Sequence, residues 1–571
     1  MKEEFSNEAD LNLQALGRAV ATFFTSREKG SNSDVLGKLC ERLAGATAKG
    51  SSHLRQEEYE ELSANPAEFS AVGYPKDDLP LVLTDWGGLY FRRFYEYELE
   101  VSHALCSRAK RGHRNCDGDT FAFFDQYVRP HLDPSQCLAV GVGLQRDLCL
   151  LTGGPGSGKT RTLVLLLACI LKDRPDWSIA LSAPTGKAAN RLKQALDKVL
   201  AEVELPAQIK ETILSRIWVG TLHRLLGPVH GSVDFRKDRD SPLSHNLVVV
   251  DEASMVDLPL MGKLCSALGD ESMLILAGDP DQLAPVQGGA IFHSLARDVT
   301  ANQFSAQQFA KLAPFSKEGD QAQDEVPLCG CHVRLTHSHR FGQVEGTDEI
   351  GGLCLAIREG RAEDALELIR SSTGSLRLIH SSEDQGIPDI IRQGYEGLLK
   401  NGNPEQALQR LGDFRILCAH NQGRHGVASW NERTQKIFSP DDDCAVPIVI
   451  GSNDYSVGLF NGDDGVVIND QAFFAGSSEL RKISRSRLPN HLPGYAISIH
   501  RSQGSEFKKV MIVLPPEQSR VLTRELLYVA VSRSKKGVTF VGTEQSFIQA
   551  LQTQSLPSCG IVKLVEESSG V

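Results

Sequence analysis

The chain lacks any apolar run long enough to cross a membrane. Its longest, Leu163 to Leu171, falls well short of the ~20 residues that a bilayer requires. The stretch from Met1 to Asp10 is acidic and has no apolar core, so no secretory signal is expected there. Positive charge is not in excess either, because the formal net charge is −11. That argues against loose, purely electrostatic DNA binding as the main activity, although a local groove can be basic inside an acidic protein. A disulfide framework is also missing. The 13 cysteines are odd in number and scattered, and Cys149, Cys169 and Cys418 sit in apolar runs, which suits reduced thiols in a cytoplasm. Cys329-Gly-Cys331-His332 is the one cluster with a metal-ligand look, but no second pair stands at zinc-site spacing, so it reads as structural thiols. No internal repeat and no nuclease-like carboxylate cluster stand out.

What is present is ordinary for a soluble globular protein, with 41% hydrophobic and 23% charged residues. A chain of 571 residues is too long for one core and divides into about three or four domains. Its most informative stretch runs from Leu148 to Ile170, where a buried strand, a glycine loop and an apolar helix follow one another. Gly153, Gly154, Pro155, Gly156, Ser157, Gly158, Lys159 and Thr160 satisfy G-x-x-x-x-G-K-[ST] in the strand–loop–helix setting that the pattern needs. Glycines leave backbone N–H groups free to converge on phosphate oxygens, and the helix start adds positive potential. Lys159 is expected to reach the β- and γ-phosphates, with Arg161 beside it, and the Thr160 hydroxyl to ligate Mg²⁺. ATP and Mg²⁺ are therefore the expected cofactors.

Downstream the pattern is βαβα. Asn246–Met255 is an unbroken apolar strand ending in Asp251 and Glu252, as in a parallel sheet covered on both faces, where ligands gather at the strands' carboxyl ends. Asp251 is placed to hold Mg²⁺ through water, and Glu252 to polarise an attacking water. Another buried strand delivers Asp279 and Gln282, whose neutral amide can report a γ-phosphate. Upstream, Gln136 can offer an amide donor and acceptor to adenine. Residues 316–326 read as an exposed loop, Gly351-Gly352 as a turn, and the tail after Pro557 as ragged. A second α/β block includes strands at Phe414–His420, Val446–Gly451 and Lys509–Leu514. It carries Arg340 and Arg533, either of which could complete a phosphate site from across a cleft.

In order, Gly153–Thr160, Ala183-Pro-Thr-Gly-Lys-Ala188, Thr221-Leu-His-Arg-Leu-Leu-Gly227, Asp251-Glu252, Gly278-Asp-Pro-Asp-Gln282, Arg340, His500-Arg-Ser-Gln-Gly-Ser-Glu506 and Tyr528-Val-Ala-Val-Ser-Arg533 resemble the motif set of superfamily 1 DNA helicases. Within it, Leu459-Phe-Asn-Gly-Asp463 and Ile499–Phe507 make the chain similar to the RecD family, the alpha subunits of exodeoxyribonuclease V. The resemblance implies an α/β fold with two tandem RecA-like P-loop domains. An N-terminal mainly helical, partner-docking domain would span 1–115, the RecA-like domains 116–335 and 336–571, and a small SH3-like β insertion about 465–492.

It further implies a 5′→3′ ATP-driven translocase on single-stranded DNA that acts at duplex DNA ends with RecB-like beta and RecC-like gamma subunits, in double-strand break repair and recombination. Strand cutting would belong to a partner. Lys159, Glu252, Gln282, Arg340 and Arg533 would be catalytic, Gln136 and Glu506 would touch base and ribose, and Thr185, Lys187, His223, Asn453 and His500 would line the DNA track. Arg501 and Ser498 stand where the family usually has Lys and Thr, swaps that keep charge and hydroxyl. The first hundred or so residues match poorly. Two other readings are a stand-alone 5′→3′ helicase of the longer RecD-like type, whose amino-terminal helix–hairpin–helix repeats are missing here, and a nucleotide-gated assembly subunit that does not unwind.

Overall fold

A computed structural model describes residues 8–26, 33–111, 114–285, 288–322, 328–338, 340, 348–398, 403–438, 445–452, 454, 456–476, 480–516, 519, 521–555 and 557–569. The amino-terminal region is made mostly of helices, with a small sheet that sequence reading did not give in full. Helices Glu8–Thr25 and Ser33–Ala48 pack together, and a four-stranded sheet follows, in the order His53–Leu54, Leu89–Phe91, Leu81–Leu83, Val72–Gly73. Leu81–Leu83 and Leu89–Phe91 form the hairpin running into a helix that Pro80–Glu98 suggests in the sequence, whereas His53–Leu54 and Val72–Gly73 are only two residues long, too short for a periodicity. Leu36, Leu39 and Leu43 bury one helix face against Leu81 and Leu89. The second hairpin strand runs straight into the helix Arg92–Lys110.

The first α/β lobe is built on a six-stranded sheet in the order His332–Leu335, Leu148–Gly153, Met273–Gly278, Leu247–Val250, Ile179–Ala183, Ile217–Thr221, and every pairing is parallel. Its four inner strands are buried along their whole length because both faces are covered, whereas the edge strands His332–Leu335 and Ile217–Thr221 are partly exposed. Cys149 and Leu151 face one core, with the helix Lys159–Asp173, while Leu148 and Leu150 face the other. Parallel pairing brings Gly153, Ala183, Val250 and Gly278 to one sheet edge, and the loops that follow these residues therefore converge there.

The second lobe holds a five-stranded parallel sheet, Leu376–Ile379, Ser534–Val541, Phe507–Val513, Phe414–Cys418, Ala496–Ser498. Val446–Ile450, expected in this sheet, belongs instead to a separate antiparallel one in the order Arg481–Ser484, Gln471–Phe474, Asp464–Ile468, Val446–Ile450, His491–Pro493. The insertion therefore begins near residue 446 rather than 465. An apolar run of five residues looks alike in either sheet, and only its partners decide.

Three other expectations change. Gly351 and Gly352 lie inside the helix Glu349–Glu359. Asp320–Gln321, in the stretch read as a loop, pairs with Gln303–Phe304. The tail folds into the helix Ile561–Ser569, whose Ile561 and Val565 enter a core of the first lobe rather than the second. No described helix is long and apolar enough to cross a membrane.

Candidate functional site

The strand Leu148–Gly153 ends in a loop whose Gly156 and Gly158 take positive φ, 77° and 79°, before the helix that starts at Lys159. Those values suit glycine because it has no Cβ to collide with the backbone. At Gly156 a Cβ would also overlap that of Arg340, so the glycine lets the chain between the lobes lie against the loop. Ser338 reinforces that contact, its hydroxyl donating to Pro155 O at 3.2 Å.

Above the loop lies a cavity of about 340 Å³. Lys159, Thr160, Asp251, Glu252 and Gln282 line it from the first lobe, and Glu506 and Arg533 from the second, with Arg340 on the chain between them. The Lys159 ammonium donates to Gly153 O (2.6 Å) and Gly154 O (3.1 Å). Thr160 Oγ1 donates to Asp251 Oδ2 at 3.0 Å, and Asp251 Oδ1 accepts from the Glu252 N–H at 2.9 Å. Burial raises the Asp251 carboxyl above the ordinary range, and burial together with Asp251 raises that of Glu252. Gln282 donates to Asp279 Oδ2 at 3.1 Å, while its own Oε1 is buried and has no partner among the described residues.

The second lobe reaches across by several contacts. Tyr528 donates its hydroxyl to Asp279 Oδ2 at 3.4 Å, and Arg358 lies 3.8 Å from Asp281. Arg340 donates to Ser532 O at 2.9 Å and pairs with Glu506. Burial alone would raise the Glu506 carboxyl, but Arg340 and Lys535 overcome it and hold the group at about 2. Arg533, only 4% exposed, donates to Val529 O, Ser505 O and Ser532 Oγ, and pairs with no carboxylate among the described residues. Arg161 also lines the cavity while pairing with Glu202 at 3.0 Å. Sequence reading missed Arg191, another cavity-lining arginine, which belongs to no motif.

Gln136 is placed otherwise than expected. It is buried and does not line the cavity: its Nε2 donates to Ser157 O (2.9 Å) and its Oε1 accepts from the Asp133 N–H (3.1 Å). One end of the amide thus braces the loop and the other closes the capping box of its own helix. Thr185 caps the helix Gly186–Glu202 by accepting from the Ala188 N–H, and Lys187 pairs with Asp464 of the insertion at 2.7 Å. Phe460 of the insertion packs on Gly186, where a Cβ would stand 2.7 Å from its ring. His223 and His500 are exposed, and no described contact joins them to this group. Asn453 lies outside the described residues. His332 has both ring nitrogens engaged, with Thr152 Oγ1 (2.8 Å) and Val299 O (2.7 Å), and burial pushes it down to about 4.

The AAA domain family model matches residues 136–288, and that of the UvrD-like helicase C-terminal domain matches 493–541. RecBCD enzyme subunit RecD of Mycobacterium tuberculosis (strain CDC 1551 / Oshkosh) is 36% identical over 446 residues, covering 74% of this chain and 71% of that one. The Haemophilus influenzae protein of the same name is 32% identical over 545 residues, covering 86% and 82%. Among solved structures, a Bacteroides Pif1 helicase in complex with ADP-AlF3 and ssDNA aligns with a TM-score of 0.38 at 17% identity, covering 74% of this chain and 94% of that one. With ordered motifs converging on one cavity between two parallel-sheet lobes, and with relatives this similar over most of their length, the chain belongs to the RecD family of ATP-dependent superfamily 1 DNA helicases.

Proposed function

We propose that the chain hydrolyses ATP in the cavity between its lobes to move 5′→3′ along single-stranded DNA, working at duplex ends beside RecB-like beta and RecC-like gamma subunits. One observation carries this reading: the phosphate loop, a carboxylate pair, and Arg340 and Arg533 from outside the first lobe line a single cavity. Loop amides and Lys159 hold the β- and γ-phosphates. Glu252 polarises the attacking water, and the free acceptor of Gln282 orients it. The γ-phosphoryl group spreads charge over its oxygens as it transfers, and an inserted guanidinium is worth about 10³–10⁵ in rate. Arg533 and Arg340 supply it. Thr160 hydroxyl and Asp251 carboxylate, 3.0 Å apart, form the all-oxygen donor pair that a hard cation takes. They would hold Mg²⁺, which would supply positive charge against the phosphate group.

Because the arginines come from outside the first lobe, hydrolysis depends on the gap between lobes, and nucleotide state drives their opening and closing. Thr185, Lys187, His223, Asn453 and His500 contact DNA phosphates, the insertion serves as an SH3-like platform beside them, and Glu506 touches the ribose. The test is Lys159→Ala with DNA-stimulated hydrolysis and unwinding measured for the chain alone and with beta and gamma subunits. Hydrolysis is expected to vanish while the circular dichroism spectrum is kept; wild-type turnover overturns the reading. Activity only with partners assigns the trimer role, and unwinding by the isolated wild-type chain assigns a stand-alone motor instead.

A further inference from the structure

Arg191 lies on the helix Gly186–Glu202, one turn beyond Lys187, and lines the same cavity as Arg340 and Arg533. No motif contains it. Unlike Arg161, which pairs with Glu202, it makes no hydrogen bond and no ion pair with any described residue. Burial lowers its basicity, and among the charges it feels are Glu506 and Glu252 on one side and Arg533 and Arg340 on the other. A half-buried guanidinium that shares one cavity with two others is unfavourable unless something anionic compensates it. The carboxylates do not suffice: with Arg161 paired to Glu202, four basic side chains, Lys159, Arg191, Arg340 and Arg533, line the cavity against Asp251, Glu252 and Glu506, and Lys535 also shares Glu506. The missing negative charge is that of a polyphosphate.

We propose that Arg191 is a further nucleotide-contacting residue, a third arginine that binds the phosphate chain of ATP from the first lobe. This deepens the ATPase reading and rests on it. Since Arg191 shares its helix with Thr185 and Lys187, the same rigid element carries the phosphate contact and two groups of the proposed DNA track.

The experiment compares Arg191→Gln and Arg191→Lys with wild type, using ATP, ADP and single-stranded oligonucleotide as probes, beside Lys159→Ala as control. Lost charged hydrogen bonds of this class correspond to about 10- to 100-fold. Arg191→Gln should lower kcat/KM for ATP by that factor and leave oligonucleotide affinity without nucleotide unchanged. Arg191→Lys should recover part of the loss, because it keeps the charge but not the planar fork. Wild-type kcat/KM in Arg191→Gln, with Lys159→Ala inactive, overturns the role of Arg191 alone. Should Lys159→Ala stay active, the ATPase reading falls with it. An equal loss of oligonucleotide affinity without nucleotide, or a lowered melting temperature in both Arg191 variants, assigns Arg191 a structural role and also overturns the proposal.

Discussion

Glu252 holds a left-handed backbone conformation, φ 54°, that costs a residue with a side chain about 1–2 kcal/mol. Such strain persists only where the surroundings enforce it, and here the Glu252 N–H is held by the Asp251 carboxylate. The turn projects the carboxylate into the cavity instead of along the sheet edge. Glu252→Gln keeps shape and neutralises the base. Single-turnover hydrolysis should slow by about 10²–10⁴, the usual worth of a positioned base, while calorimetry shows ATP affinity within a few fold. An unchanged rate would remove Glu252 from the chemistry. At this scale the sequence was most informative where chemistry demands a fixed spacing, as from Gly153 to Thr160. It was silent on Arg191, which reads as one more basic residue on an amphipathic helix until packing turns it inward. It misled at Gln136, since an amide near the phosphate loop can serve a base or the loop itself, and the capping box from Asp133 chose the loop.

Among elements, the loop from Gly153 to Gly158 illustrates how a local need and a long-range contact coincide. Gly156 has a positive φ, and its missing Cβ admits Arg340. Gly156→Ala therefore meets a backbone cost of about 1–2 kcal/mol and a collision with the arginine segment, so loop and arginine must separate. The expected result is a KM for ATP raised about tenfold or more, with a melting temperature lowered by a few degrees, read by steady-state kinetics and calorimetry. A variant with wild-type KM would show that the two segments part during each cycle without consequence. Elements with continuous apolar strands followed by glycine were legible because the parallel sheet dictates that pattern. The insertion was less so. Val446–Ile450 has the same run, and its antiparallel neighbours Asp464–Ile468 and His491–Pro493 are contributed by sequence that lies well downstream.

At the scale of the molecule, the tail ties together parts that the cavity needs to keep at a set distance. The second lobe ends with the helix Glu544–Gln552, which buries Phe547, Ala550 and Leu551 in that lobe's core. The chain then crosses back: Ser558 O accepts from the Ser52 N–H at 2.9 Å, and the Gly560 N–H donates to the buried Glu98 carboxylate at 3.1 Å. Leu564 packs on Val82, Tyr90 and Tyr95, and Ile561 and Val565 enter the first lobe's core. Ile561 is 0% and Leu564 1% exposed, each worth about 1.5–3 kcal/mol of burial, and with Val565 they anchor this helix. An aspartate at both positions would have to bury unpaired charge, and undocking is the cheaper outcome. The Ile561→Asp/Leu564→Asp variant should therefore be cleaved quickly by trypsin at Lys563, seen by mass spectrometry. Its KM for ATP should rise several-fold, because a released tail lets Arg533 and Glu506 draw away from Lys159. Cleavage with an unchanged KM would confine the tail to stabilising the amino-terminal region, and would leave the spacing of the lobes to Arg340 and to the contact of Tyr528 with Asp279.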